Sequence, residues 1–358
     1  MKITDITVKM LRGTISSDER SDDRVAQWCV VSVNTDVDIS GRYVTKPWVG
    51  AEIKKRFEAE KTKIIGLDPL QRAVIENMWK GFPYMMNPVN TSVLGTLEIC
   101  LWDIAGKYYK VPICDLLGRK KDRIMAYASV PTFQDTEDYV RSLREIVKKG
   151  FGAVKIHPPL KYEKDIEVCS VAREIVGNEM ILMLDSVGVY DRSEALKVGR
   201  AIDKLDYFWY EDPLPTTDID GLEDLCKSID CQVLMGERLT SIAGYTEYIR
   251  RHATDALRCS AEQIGGIAAA MKIGALAECF GMNCEPHSWG HALYQAASLH
   301  CMLAMGNCRF IELPFSDGIQ NAGMKEFIQI DSWGYVKAPS KPGLGYDLDD
   351  EAMEKLSL

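Results

Sequence analysis

The sequence predicts an α/β fold in which eight parallel strands alternate with seven helices and close into a barrel, behind an amino-terminal α+β unit. Three observations predict it. From about residue 125, short apolar runs begin roughly 23 to 28 residues apart, the length of one strand, one helix and two loops. Amphipathic segments fill the seven gaps between them. Polar or charged residues end successive runs, where a parallel barrel gathers its functional groups.

Taken in order, residues 1–122 form the α+β unit: "AQWCVVSVNTDVDISGRYVT" alternates as strands do, and "GAEIKKRFEAEKTKII", "DPLQRAVIENMWKG" and "NTSVLGTLEICLWDIAGKYYK" read as helices. Residues 123–335 carry the barrel, with strands at "MAYASV", "AVKIHP", "ILMLDS", "FWYEDP", "VLMGER", "ALRCSAE", "NCEPHS" and "RFIELP". Its helices are amphipathic. "TEDYVRSLREIVKKG" sets Val140, Leu143, Ile146 and Val147 on one face, with Gly150 as a stop. Residues 336–358 form a turn-rich tail expected to pack back toward the first unit.

Composition narrows the function. The 358 residues, 46% hydrophobic and 27% charged, suffice for one large domain and a smaller one. A net charge of -9 and a pI near 5.3 supply no basic field for nucleic acid or an anionic membrane, so the expected partner is a small molecule. Eleven cysteines without a CxxC pair suit a reducing compartment. No apolar stretch has the length of a membrane span, and the amino terminus lacks a signal-peptide core, so the expected location is cytoplasmic.

Three acids end three successive strands: Asp185, Glu211 and Glu237. Carboxylates crowded at one barrel mouth repel each other unless a cation sits among them, and oxygen-only ligands favour Mg2+. Acids also begin ordinary loops, but three in register point to the ion. On the second strand Lys155 and His157 stand two apart and share a face. A wet edge strand would carry the same pair. Beside a metal, the lysine offsets the acids and the histidine exchanges protons. Ser260, His287 and Glu312 hold the equivalent places on the last three strands, while His291 and His300 fall in a helix and read as structural.

These residues in this order, with "GLDPLQ", "LEICLWDIAGK", "VPICDLLG", "QIGGIAAAMKIGALAECFGM" and "PGLGYDLDDE", resemble the enolase superfamily, in the branch of mandelate racemase and the acid-sugar dehydratases. The resemblance implies a (β/α)7β TIM-like barrel with an N-terminal α+β capping domain, Asp185, Glu211 and Glu237 as Mg2+ ligands, and a homo-oligomer. It implies that a small carboxylate substrate loses the proton beside its carboxylate to give an enediolate. By position Lys155 matches the first lysine of the family's Lys-x-Lys strand and Glu312 the eighth-strand acid that hydrogen-bonds the substrate. His287 matches the seventh-strand histidine. Two departures stand out. His157 replaces the second lysine, and Ser260 replaces the aspartate usually paired with the histidine; Glu262 or Glu285 either substitutes for it or is an ordinary polar residue.

The expected activity is dehydration of a polyhydroxy acid to a 2-keto-3-deoxy acid, with His157 as base and His287 as acid, or the reverse. A racemase or epimerase using both histidines as bases is the alternative, and a sugar-acid binding protein without turnover a second. In the segments where the family's specificity loops fall, Arg20, Arg24, Lys46 and Trp48 either reach the far end of the substrate or are solvated.

Overall fold

The computed structural model describes residues 1–15, 24–46, 49–80, 88–315 and 319–357. Three antiparallel strands open the chain, β1 (Ile3–Ile15), β2 (Arg24–Thr35) and β3 (Ser40–Val44), joined in that order into one sheet. The helices α1 (Gly50–Glu60), α2 (Arg72–Lys80), α3 (Pro88–Tyr109) and α4 (Ile113–Leu116) follow.

Residues 91–106 of α3 are buried on every face, as expected of a helix with partners on all sides rather than one wet face. Two close approaches set those partners. A Cβ at Gly41 would lie 1.9 Å from Cys100 O, and one at Gly95 would lie 2.0 Å from Glu262 O, so glycine lets α3 press against the sheet on one side and the barrel on the other. The polar residues of "LEICLWDIAGK" lock this arrangement. Glu98 accepts hydrogen bonds from Trp102 Nε1 and from the Ile267 and Ala268 amides (2.6, 2.8 and 3.1 Å), while Asp103 accepts from Arg42 N, Lys107 Nζ and Leu344 N.

All eight expected barrel strands are present. They are β4 (Arg123–Val130), β5 (Ala153–Ile156), β6 (Ile181–Asp185), β7 (Trp209–Glu211), β8 (Gln232–Met235), β9 (Ala256–Leu257), β10 (Asn283–Cys284) and β11 (Phe310–Pro314). Between them run α5 (Thr136–Lys149), α6 (Tyr162–Val176), α7 (Arg192–Lys204), α8 (Ile219–Cys226), α9 (Ile242–Arg250), the single turn α10 (Ala261–Ile264), α11 (Ile267–Cys279) and α12 (Ala292–Ala304). The face of α5 differs from expectation: Tyr139, Leu143 and Ile146 are buried, whereas Val147 is exposed. Tyr139 can go inside because its hydroxyl finds partners there, accepting from Phe133 N at 2.9 Å and donating to His157 O at 2.7 Å.

The parallel order runs β10, β9, β8, β7, β6, β5, β4, β11, so the sheet curls round without a backbone ladder between β10 and β11 among the described residues. Side chains cross that seam instead. Ser288 accepts from Glu312 N (3.0 Å) and donates to Glu312 O (2.9 Å), and the Glu285 carboxylate accepts the Arg309 and Phe310 amides. Edge backbone groups are thereby satisfied where two-residue β10 is too short to pair.

The tail adds β12 (Tyr335–Lys337), antiparallel to β4, and α13 (Asp350–Lys355). It returns to the first unit through Gly343, whose N–H donates to Val111 O and whose carbonyl accepts from Ile113 N, and through Leu356 O, which accepts from Arg12 N. Among the described residues no helix is long and apolar enough to cross a membrane.

His300 ties α12 to both neighbours: its Nδ1 accepts from Cys114 N (3.0 Å) and its Nε2 donates to Leu344 O (3.1 Å). This pattern requires a neutral ring, and burial lowers its pKa from the ordinary 6.5 to about 4. Below pH 6.5 the unfolded chain takes up a proton that the folded one refuses. The stabilisation is therefore full above pH 6.5 and is lost as pH falls toward 4, by about 3 kcal/mol. Urea denaturation of wild type and His300→Gln is expected to show a stability gap that narrows between about pH 7 and about pH 4; a constant gap would contradict the assignment.

Candidate active site

Strand periodicity builds the site. Tyr127, Ala153, Met183, Trp209, Leu234, Ala256 and Phe310 form one apolar layer inside the barrel. Its aromatic members pack edge to face, with Trp209 5.5 Å from Tyr127 and 5.7 Å from Phe310 between centroids. Side chains on a strand return to the same face every second residue. Two residues on, the next layer reads Ser129, Lys155, Asp185, Glu211, Gly236, Arg258 and Glu312. An apolar floor is followed by a charged one.

Gly236 explains why the third acid stands one residue later. Its φ is +120°, and a Cβ there would lie 2.7 Å from the Tyr245 ring and 2.8 Å from Arg258 O, so the chain turns at a glycine and Glu237 carries the carboxylate.

In the charged layer Lys155 Nζ lies 2.9 Å from Asp185 Oδ2, 2.9 Å from Glu211 Oε2 and 3.0 Å from Glu312 Oε1. Arg258, which the sequence reading passed over, completes a ring of alternating charge: its Nε lies 2.5 Å from Glu211 Oε1, and its Nη2 donates to Glu312 Oε2. Each of these two carboxylates offers one oxygen to the lysine and the other to the arginine. The signal for Arg258 was present, since it lies two residues before Ser260 on the same strand face.

Above this ring stand two histidines. His157 Nε2 is 3.0 Å from Asp185 Oδ2, and its Nδ1 lies 2.8 Å from Val130 O. A carbonyl only accepts, so Nδ1 carries a proton. His287 Nε2 is 3.4 Å from Glu237 Oε1 and 3.9 Å from Glu312 Oε2. The two rings thus stand at opposite ends of the acid row that runs from Asp185 to Glu237.

Neither acid considered as a substitute for the missing aspartate touches His287. Glu262 accepts from Tyr43 OH and Lys46 N, both at 3.0 Å, and Glu285 belongs to the β10–β11 seam. Tyr294 takes the place instead: its hydroxyl is 2.7 Å from His287 Nδ1 and 2.9 Å from Ser260 Oγ. Spacing gave no signal for Tyr294, which comes from α12 and meets the strand ends only through packing.

Lys46 reaches in from the loop after β3, with Nζ 3.4 Å from Glu237 Oε1 and 5.2 Å from the Tyr294 ring centroid. It helps line a cavity of about 280 Å3 beside Glu237, His287, Gln263, Ser92 and Trp289. Arg20, Trp48 and the side chain of Arg24 fall outside the described residues.

The charges do not balance. Three buried carboxylates of the layer, Asp185, Glu211 and Glu312, face two buried permanent cations, Lys155 and Arg258, and buried Asp212 follows Glu211 with Arg238 3.9 Å away. Burial alone would raise Asp185, but Lys155 and His157 hold it well below the usual carboxylate range. Glu211 is pushed well above that range by burial and by the Asp185 charge, against the pull of Arg258 and Lys155. Asp212 rises to about 7 through burial and repulsion from Asp185 and Glu237, and its Oδ1 is buried without a hydrogen-bond partner.

Glu237 is half-buried, which raises it, yet His287 and Lys46 hold it down to about 2. Burial drives His287 itself down to about 3, so near neutral pH its ring is uncharged and Lys46 supplies the field at Glu237.

Because the cations engage these acids, no group of three or more His, Cys, Asp or Glu among the described residues stands as a ready cage for an ion. The donor chemistry nevertheless fits a hard dication: the oxygens are carboxylate, Asp212 Oδ1 beside them has no hydrogen-bond partner, and the buried layer lacks one positive charge.

A family model for enolase C-terminal domain-like proteins matches residues 138–352. The chain belongs to the enolase superfamily. Within it, the chain falls in the branch of mandelate racemase and the acid-sugar dehydratases. It is 31% identical to arabinonate dehydratase of Saccharolobus solfataricus over 72% of this chain and 70% of that one. It is 27% identical to D-galactarolactone cycloisomerase of Agrobacterium fabrum over 82% of each. The crystal structure of D-glucarate dehydratase from Agrobacterium tumefaciens complexed with magnesium superposes with a TM-score of 0.86 at 28% identity, covering 100% of this chain and 99% of that one.

Proposed function

We propose that the protein dehydrates a polyhydroxy acid, removing the proton beside the carboxylate and expelling the β-hydroxyl to leave a 2-keto-3-deoxy acid. One observation carries this reading: two imidazoles flank the row of acids, His157 against Asp185 and His287 against Glu237. Elimination needs one group to accept a proton from carbon and another to attend the departing oxygen.

Asp185, Glu211 and Glu237 would hold Mg2+, which when bound polarises the substrate carboxylate. The remaining work falls to the chain itself. Lys155, kept charged by the acids around it despite its burial, puts a fixed positive charge beside the carboxylate as negative charge develops there. Glu312, braced by Lys155 and Arg258, is the acid that meets the substrate carboxylate end. His157 takes the α-proton at Nε2 while the Val130 carbonyl holds Nδ1–H and Tyr139 holds the His157 backbone carbonyl. The C–O bond to the β-hydroxyl breaks as His287 gives that oxygen its Nε2 proton, the hydroxyl leaves as water, His157 returns the carbon-derived proton to solvent while His287 regains one from it, and the enol tautomerises. Lys46 and the cavity beside it face the distal hydroxyls.

The reading is tested by incubating aldonic, aldaric and uronic acids with the protein and Mg2+ and trapping keto acid with semicarbazide. At least one acid is expected to give product. Chelation is expected to abolish turnover and Mg2+ to restore it, whereas turnover that survives exhaustive chelation excludes the metal assignment.

A further inference from the structure

We propose that Tyr294 is a positioning residue that holds the His287 ring in one tautomer, with the proton on Nε2, so that His287 faces the site as a donor and not as a base. The inference rests on the dehydratase reading for its consequence but not for its test.

The argument is a count of donors and acceptors along the buried chain Ser260, Tyr294, His287. Ser260 Oγ caps α10 by accepting from Gln263 N at 3.4 Å, which leaves its own hydrogen free. Among the described residues the one other group it meets is Tyr294 OH, 2.9 Å away, so the serine donates to the tyrosine oxygen. The phenol hydrogen then points at His287 Nδ1, 2.7 Å away. Nδ1 must accept, which places the ring proton on Nε2. There it faces Glu237 Oε1 at 3.4 Å and Glu312 Oε2 at 3.9 Å, both acceptors. Every group in the chain is satisfied in this direction.

Reversed, the chain fails twice. The serine hydrogen loses its partner, and a bare Nε2 faces carboxylate lone pairs in a place where an unmade hydrogen bond is expensive. All three residues are buried, and burial holds the Tyr294 phenol well above its ordinary pKa, so it keeps the hydrogen that it donates.

The consequence concerns the choice of reaction. A carboxylate in this position only accepts; it would hold Nδ1–H and leave Nε2 bare as a base. Exchanging that acid for Ser260 and Tyr294 inverts the tautomer. An epimerase needs a base on each face of one carbon, and this arrangement removes the second. A donor at His287 suits a departing hydroxyl.

The chain has five histidines, so a long-range 1H–15N spectrum of histidine-labelled protein with Mg2+ resolves each ring, and His287→Asn assigns the signal. Wild type is expected to show the proton on Nε2, and Tyr294→Phe a mixture of tautomers. With the acid found in the screen, Tyr294→Phe is expected to lower kcat at least about tenfold with KM little changed. Ser260→Ala, which leaves the phenol in place, is expected to move the signal in the same direction by less. A wild-type ring protonated at Nδ1, or a Tyr294→Phe spectrum identical to wild type, overturns the proposal. The spectra need no substrate, so they stand even if no sugar acid is dehydrated.

Discussion

His157→Asn is expected to lower kcat by about 10²- to 10⁴-fold, the usual worth of a positioned general base, with the melting temperature close to wild type. The expectation follows from how the ring is held. With Nδ1–H committed to Val130 O at 2.8 Å, Nε2 is the nitrogen left to exchange a proton with substrate, and it sits 3.0 Å from Asp185 Oδ2 on the rim of the charged layer. Asparagine keeps a donor near Val130 but offers no basic nitrogen. The fold is expected to survive because the backbone carbonyl of residue 157, and not the ring, is what Tyr139 binds. In heavy water the variant is also expected to lose exchange of the substrate α-proton, which separates a missing base from a missing acid. His157→Lys restores the residue usual in the Lys-x-Lys strand and is expected to recover part of that exchange. An Asn variant with full turnover would remove His157 from the mechanism.

The barrel was legible because two simple periods wrote it. Apolar runs one βα unit apart gave the eight strands, and the two-residue alternation within them put Lys155, Asp185, Glu211 and Glu312 on one face. Arg258 was legible by the same alternation, two residues before Ser260 on the same strand face. Tyr294 and the Glu285 and Ser288 seam belong to a different kind of information: they exist because a helix or a neighbouring strand arrives in space, and no spacing along the chain announces that. The misjudged face of α5 has a local cause. Tyr139, polar at its tip, goes inside because its hydroxyl is satisfied there, whereas Val147, apolar by type, sits where the helix meets solvent.

Arg258→Met is expected to destabilise the fold by about 3 to 5 kcal/mol, the range found when one partner of a buried ion network is removed. Methionine fills much of the space, so the cost is electrical. Lys155 alone would then face Asp185, Glu211 and Glu312, all buried, and the deficit of one positive charge among them would become two. Glu211, already pushed up by burial and by Asp185, loses the cation that pulls hardest against that shift. Arg258→Lys is expected to fall between the two, since an ammonium keeps the charge but lacks the planar fork that reaches both carboxylates. Urea denaturation at fixed Mg2+ concentration measures both variants, and the free ion itself provides an internal check. A divalent cation that binds only the folded chain stabilises it by mass action, and it should do so more strongly where the acids have lost a competitor. The Mg2+-dependent gain is therefore expected to be larger in Arg258→Met than in wild type. A variant as stable as wild type in the absence of added metal would show that the ring of Lys155, Glu211, Arg258 and Glu312 carries no strain of charge, and with it the reason for placing a dication there.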